Sequence, residues 1–352
     1  MIDYLSDAFP RLAARVPKLP LADLPTPFEV GTVSVGARTI RVAIKRDDLT
    51  AGLYGGNKVR KLEYLLQRAR DRGARRVATF GTVASHHALA TALYALAQRF
   101  ECMCFLSHQL NTPQAAIVLN RHLQIGTDVV RYGGSRQERV ATLREHLAGR
   151  DTWVIPMGGT TWLGVLGHVN AGLELADQLT SAAVDAPDRL YVPNGTMGTA
   201  AGLALGLALC GMQTEIQAVR VVPDYIANPR ALRRLLAKTA TLMHRFDSSI
   251  PADLAEKTRL RFRDEFFGGG YAHTDPVTDA AIEIARDQLG LTLEATYSGK
   301  AMAALLHDAR QPQLADQTLL FWNTHNSRPM PTITARPGNA AQLPDEFRRY
   351  FD

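Results

Sequence analysis

The chain has 352 residues, 46% of them hydrophobic and 21% charged, with a formal net charge of +6. This length favours two lobes over one core, and the balance is that of an ordinary globular protein. It argues against a membrane protein and a secreted one: the longest apolar stretches, ALATALYALA and AAGLALGLALCGM, are short and interrupted, and residues 1–30 hold no signal-peptide run, so a cytoplasmic location is expected.

From residue 58 onward helix and strand patterns alternate. Val59, Leu62, Leu65, Leu66 and Ala69 recur at helical spacing, and Gly73 ends that helix. The arginine run RARDRGARR falls on its face and exit. No aromatic side chains interleave with the run, so it reads as solvated charge and nucleic acid is not expected as a partner. A basic surface still favours anionic small molecules. RVATF is a short strand, and Ser85 caps a helix through HHALATALYALAQRF. ECMCFLS is the next strand. Its Cys102 and Cys104 share one face and read as small buried hydrophobes; with Cys210 they make three cysteines, a count that suits a reducing compartment. Thr112 and Pro113 open a helix that Gly126 closes. DVVRY, TWVIP, RLYVP, EIQAVRVV and QTLLFWN read as further strands, and LTLEATY as a strand or extended loop. The alternation implies parallel sheets covered on both faces, with ligand loops at the carboxyl ends of strands. Ser85-His86-His87, Asn194 to Thr199, and Thr324-His325-Asn326 all fall at such ends.

Two constellations carry chemistry. NGTMGTAAG, residues 194–202, stands between a strand and a helix. Gly195, Gly198 and Gly202 let backbone approach a ligand, Thr196 and Thr199 add hydroxyls, and Met197 lies between them. The N–H groups of the helix start favour an anion such as phosphate. No lysine follows the glycines, so this is neither a nucleotide P-loop nor GxGxxG. The second is GGNKVRKLE, residues 55–63, where Lys58 follows Gly55, Gly56 and Asn57 at a helix start. Lys61 lies one turn on, roughly on the same face. A lysine amine attacks an aldehyde only when neutral, and burial near another cation helps to keep it so. A reactive lysine and a separate phosphate cup together suggest pyridoxal 5'-phosphate, held at both ends.

On these residues the chain resembles the family of 1-aminocyclopropane-1-carboxylate deaminase and D-cysteine desulfhydrase, pyridoxal-phosphate enzymes of the tryptophan-synthase-β fold type. The resemblance runs through LPTPFE, KRDDLTAGLYGGNKVRKLEYL, GTVASHH, VIPMGGTTWLGVLGHV, NGTMGTAAGL, GGGYAHT and YSGKAMAAL. It implies that Lys58 holds the cofactor covalently beside Asn57. Lys61 would help to neutralise the phosphate, seated on Gly195, Thr196, Met197, Gly198 and Thr199. Ser85, His86 and His87 would receive the substrate carboxylate at a helix N-terminus, with Thr160 and Trp162 on the substrate side. Tyr271 and Tyr297 would line the substrate and move protons, and Ser298 or Thr324 would meet the pyridine nitrogen. No metal is implied.

Three departures bear on activity. The family's asparagine in the serine motif, which holds the cofactor's ring oxygen, is His86 here. Its two glycines after the last core strand are His325 and Asn326. The ring-opening deaminases carry a glutamate after the motif tyrosine, where this chain has Ser298. A neutral hydroxyl makes a weaker electron sink, sufficient for expelling a good β-substituent such as thiolate.

The expectation is thus an α/β, two-lobed fold of the tryptophan-synthase-β type. Residues 1–61 and 171–352 would form the larger, cofactor-binding lobe and 62–170 the smaller. The function expected is a lyase or deaminase acting on a small amino acid, by D-cysteine desulfhydrase-like α,β-elimination to a 2-oxo acid and ammonia. Cyclopropane ring opening, racemisation or β-replacement in a specialised pathway, and a non-catalytic cofactor-binding protein are the alternatives. The family implies a homodimer.

Overall fold

The structure, a computed structural model, describes residues 2–36, 38–147, 149, 151–331 and 343–351. Residues 1, 37, 332–342 and 352 of the expected larger lobe, and 148 and 150 of the smaller, lie outside the described residues.

The strands are β1 (Phe28–Val35), β2 (Arg38–Lys45), β3 (Arg76–Thr82), β4 (Glu101–Ser107), β5 (Asp128–Arg131), β6 (Thr152–Ile155), β7 (Arg189–Asn194), β8 (Glu215–Arg220), β9 (Leu260–Arg263) and β10 (Leu319–Trp322). The helices are α1 (Tyr4–Ala8), α2 (Pro10–Arg15), α3 (Lys58–Asp71), α4 (His86–Ala97), α5 (Pro113–Gln124), α6 (Arg136–His146), α7 (Trp162–Ser181), α8 (Gly198–Leu209), α9 (Pro229–Phe246), α10 (Pro276–Leu289) and α11 (Ser298–Ala309). The chain divides into two compact units, Met1–Tyr64 with Thr160–Arg328, and Leu65–Gly159 with Pro329–Asp352.

The first unit holds a sheet in the order β1-β2-β10-β7-β8-β9. Its members from β2 to β9 pair in parallel, so the carboxyl ends of β2, β10, β7 and β8 lie along one edge. The β1–β2 hairpin at one edge is antiparallel, an element the alternation from residue 58 onward did not include. One face is sealed by α10 and α11: Ala285, Met302, Leu305 and Leu306 pack on Val42, Ile44, Tyr191 and Phe321. LTLEATY forms no strand; it is an irregular passage into α11.

The second unit holds a parallel sheet in the order β5-β4-β3-β6. Phe80 and Phe105 stack there with ring centres 5.2 Å apart. Cys104 is buried in this sheet, as a small hydrophobe would be, whereas Cys102, its sulfur 3.9 Å away, is only half-buried, which corrects the expectation for that residue. Residues 343–351 were expected in the larger lobe and instead pack within this unit, where Tyr350 Oη accepts the Gln109 N–H at 3.0 Å and donates to the Gln109 carbonyl at 3.0 Å. Among the described residues no helix is long and apolar enough to cross a membrane.

Candidate active site

The site is built on the carboxyl edge of the first unit's sheet. After β2 the chain turns through Asp47–Leu49 and reaches Gly55-Gly56-Asn57. A Cβ on Gly55 would collide with the Asp48 carbonyl oxygen, and Gly56 has φ +91° with a would-be Cβ 2.9 Å from the Thr324 carbonyl. Only glycine fits both positions. The turn is stitched to the loop after β10. Gly55 N–H donates to Asn326 Oδ1 at 2.6 Å, and Asn57 N–H to the Thr324 carbonyl at 3.2 Å. Asn326, a departure from the family pattern, therefore holds the backbone that presents Lys58.

Lys58 Nζ donates to Asn57 Oδ1 at 2.8 Å, and Asn57 Nδ2 donates to Thr199 Oγ1 at 2.9 Å. Asn57 thus links the lysine to the glycine-threonine turn. Burial lowers the Lys58 pKa to about 8, against a smaller opposing pull from Glu294. The amine is poised to be neutral and nucleophilic.

The turn after β7 forms a cup. Met197 takes a left-handed φ of 68°, and no side chain caps α8, so the helix presents its first-turn N–H groups. Thr160 and Thr196 hydroxyls lie 2.6 Å apart. A Cβ on Gly198 would sit 2.8 Å from Lys61 Nζ and 2.9 Å from Thr160 Oγ1, so the glycine opens a cradle between a cation and a hydroxyl. Asn194, at the lip of the cup, is buried with neither side-chain polar atom hydrogen-bonded. Burial, and then the Lys58 charge, push the Lys61 pKa well down. A phosphate here would meet that electrostatic demand. The donor set fits pyridoxal phosphate at both ends, aldehyde at Lys58 and phosphate at the cup.

Tyr297 stands between these ends. Lys58 Nζ is 6.0 Å from its ring centre, and a Cβ on Gly195 would lie 3.1 Å from its Cε1. Its hydroxyl meets that of Tyr271 at 3.0 Å. Burial and Tyr271 raise the Tyr297 pKa well above that of an ordinary phenol, so it stays protonated. Ser298, at the start of α11, is wholly buried, and Thr324 is nearly so.

Lys58, Asn57, Lys61, Thr160, Gly195 to Thr199, Tyr271, Tyr297, Ser298 and Thr324 all belong to the first unit. Ser85, His86 and His87 belong to the second. There Ser85 caps α4, its Oγ accepting the Ala88 N–H at 3.2 Å. The His87 ring is buried, with Nε2 3.0 Å from Thr79 Oγ1. Trp162 packs against Phe246 with ring centres 5.7 Å apart and planes tilted by 35°. Two features escaped the sequence. Glu294 accepts the N–H groups of Thr296, Tyr297 and Ser298 at the entrance to α11. Lys45, Asp47, Arg60 and Glu174 form a buried ionic cluster beneath Lys58.

A family model described as "Pyridoxal-phosphate dependent enzyme" matches residues 20–324. The chain is 31% identical over 323 residues to a D-cysteine desulfhydrase of Serratia proteamaculans, covering 88% of this chain and 94% of the relative. It is 32% identical over 331 residues to nocardicin C-9' epimerase of Nocardia uniformis subsp. tsuyamanensis, covering 89% and 94%. Among solved structures, an ACC deaminase homologue superposes with a TM-score of 0.74 at 27% identity, over 93% of this chain and 95% of that one. A fungal L-serine ammonia-lyase from Rhizomucor miehei shares the fold, with a TM-score of 0.57 at 16% identity over 85% and 92%. With a lysine of lowered pKa linked through Asn57 to an anion cup, and a family match over most of its length, the chain belongs to the pyridoxal-phosphate dependent enzymes.

Proposed function

We propose that the protein eliminates a good leaving group from Cβ of a small amino acid, in the manner of a D-cysteine desulfhydrase, releasing a 2-oxo acid and ammonia. The observation that carries this reading is the set of Lys58 and the Tyr271–Tyr297 pair beside the phosphate cup, and the D-cysteine desulfhydrase relatives support it. Bound, pyridoxal phosphate supplies an electron-withdrawing ring that acidifies the substrate's α-carbon. Lys58, neutral in roughly a tenth of molecules at pH 7 for a pKa of about 8, then serves as the base for that proton. Tyr297, held neutral and bonded to Tyr271, donates toward the departing group. Lys61, Thr196, Gly198 and Thr199 hold the phosphate, and Ser298 or Thr324 meets the ring nitrogen. Ser85, at the N-terminus of α4, is the proposed receiver of the substrate carboxylate. The family resemblance also supports a cofactor-holding larger lobe, a homodimer and a cytoplasmic location.

The test is to reduce the purified holoprotein with borohydride and map the phosphopyridoxyl adduct, then assay L- and D-cysteine, β-chloroalanine and the cyclopropane amino acid. An adduct on Lys58, with pyruvate and sulfide from cysteine, is expected. 2-Oxobutyrate from the cyclopropane substrate would show ring opening instead, and inversion without pyruvate would show a racemase. A Lys58 adduct with no reaction of any amino acid would leave a binding protein.

A further inference from the structure

Glu294 lies four residues before Ser298. Its carboxylate accepts the N–H groups of Thr296 at 2.8 Å, Tyr297 at 2.9 Å and Ser298 at 2.7 Å. The Ser298 hydroxyl completes the ring of contacts. Its Oγ accepts the Glu294 N–H at 2.9 Å and lies 3.2 Å from Glu294 Oε1. A hydroxyl has one proton and two lone pairs, whereas an ionised carboxylate only accepts. The acceptors for the Ser298 proton are on Glu294, carboxylate Oε1 at 3.2 Å and the main-chain carbonyl at 3.5 Å, the nearer and charged one being favoured, and the Glu294 N–H occupies one lone pair. One lone pair is left. So bonded, the buried Ser298 hydroxyl meets a third group as an acceptor.

We propose that Glu294, acting through Ser298, holds the cofactor's ring nitrogen in its protonated form. The proposal rests on the reading above and chooses Ser298 over Thr324 as the nitrogen's partner. A neutral pyridine nitrogen would set its lone pair against that of Ser298. A pyridinium N–H finds an acceptor with a carboxylate behind it. Ser298 alone reads as a weak electron sink; the charge that the ring-opening deaminases carry at this position is supplied here from four residues upstream. Glu294 is thus a positioning residue. The other titratable groups within reach of its charge are Lys58, Lys300, Tyr297 and His325. Of these, Lys300 directs its ammonium to the carbonyls of Phe267 and Gly270 at 2.6 and 2.9 Å.

The experiment reconstitutes the full chain with pyridoxal phosphate labelled with ¹⁵N in the ring and follows its chemical shift against pH. Parent, Glu294→Gln, Glu294→Asp and Ser298→Ala proteins are compared. The parent is expected to show a pyridinium shift at pH 8. Glu294→Gln keeps an acceptor for the backbone N–H groups but brings a donor to Ser298, and should lower the nitrogen's pKa by at least one unit. Glu294→Asp should restore part of that loss. Ser298→Ala, which leaves the cap intact, should lower the pKa in the same direction and carries the test if Glu294→Gln does not fold. A neutral nitrogen in the parent, or an unchanged pKa in Ser298→Ala, overturns the proposal alone. Absence of a borohydride-trapped adduct on Lys58 overturns the site reading, and the proposal with it.

Discussion

Arg60 Nη2 lies 2.7 Å from Asp47 Oδ1, with both side chains wholly withdrawn from solvent. Arg60 also pairs with Glu174 at 2.9 Å, Glu174 with Lys45 at 2.5 Å, and Trp322 Nε1 donates to Asp47 at 2.8 Å. Two cations and two carboxylates balance in a dry interior. Arg60 sits on α3 between Lys58 and Lys61, and Asp47 on the turn that leads to Gly55, so the cluster fixes the elements that present both lysines. Removing one member leaves an uncompensated buried charge. Asp47→Ala should cost about 3–5 kcal/mol in chemical denaturation, whereas Glu101→Ala at the half-exposed Arg76–Glu101 pair should cost less than about 1 kcal/mol. Equal effects at the two sites would deny the cluster its structural role.

The Lys58 amine, with a pKa near 8, should set the pH dependence of cofactor attachment. The neutral fraction rises about tenfold between pH 7 and pH 9 and then levels; an ordinary lysine would gain about a hundredfold over the same range and keep rising. Stopped-flow absorbance of apoprotein mixed with pyridoxal phosphate measures this. Glu294 raises the Lys58 pKa, so Glu294→Gln should move the midpoint lower. Lys58→Arg should give no adduct.

The strands from residue 76 onward, β9 apart, were legible because each is a short apolar run bounded by turn residues; β9, LRFR, alternates arginine with apolar residues and was not read. The cup and the lysine turn were legible because glycine is costly where no close approach requires it. The β1–β2 hairpin was not, since Glu29, Ser34, Arg38 and Arg41 dilute an edge hairpin that is partly exposed. Glu294 looked like one polar residue in an extended segment. Its role appears only when the chain folds back so that Thr296, Tyr297 and Ser298 offer their N–H groups to one carboxylate. The contact of His87 was likewise hidden: its ring nitrogen meets Thr79 on β3, a neighbour eight residues away that adjacency to Ser85 did not reveal.

Tyr297 and Tyr271 should separate by role. Tyr297 lies between Lys58 and the cup, while Tyr271 is tied to it by one hydroxyl contact. Tyr297→Phe removes the proton donor and should lower kcat by about 10²–10⁴-fold, with the Lys58 adduct intact. Tyr271→Phe leaves the donor in place but removes a partner that raises its pKa, and should cost less. Steady-state kinetics on D-cysteine decides the order, and a larger loss in Tyr271→Phe would reverse the assignment.

Gly198 and Gly202 stand four residues apart on α8, and alanine at each meets a different obstacle. At Gly202 the new methyl would lie 2.5 Å from the Val165 carbonyl oxygen and 2.5 Å from His168 Cβ, where α7 cannot yield without moving its backbone. Gly202→Ala should therefore destabilise the fold by about 1–3 kcal/mol. At Gly198 the methyl would meet Lys61 Nζ at 2.8 Å and Thr160 Oγ1 at 2.9 Å, both side-chain ends that can swing away. They would swing out of the cup, so Gly198→Ala should keep its melting temperature within about 2 °C and lose cofactor affinity by about 10–100-fold, or about 1.4–2.8 kcal/mol. Thermal melts of the apoproteins and titration with pyridoxal phosphate separate the two effects. If Gly198→Ala bound the cofactor as tightly as the parent, the phosphate would have to sit elsewhere than against the first turn of α8.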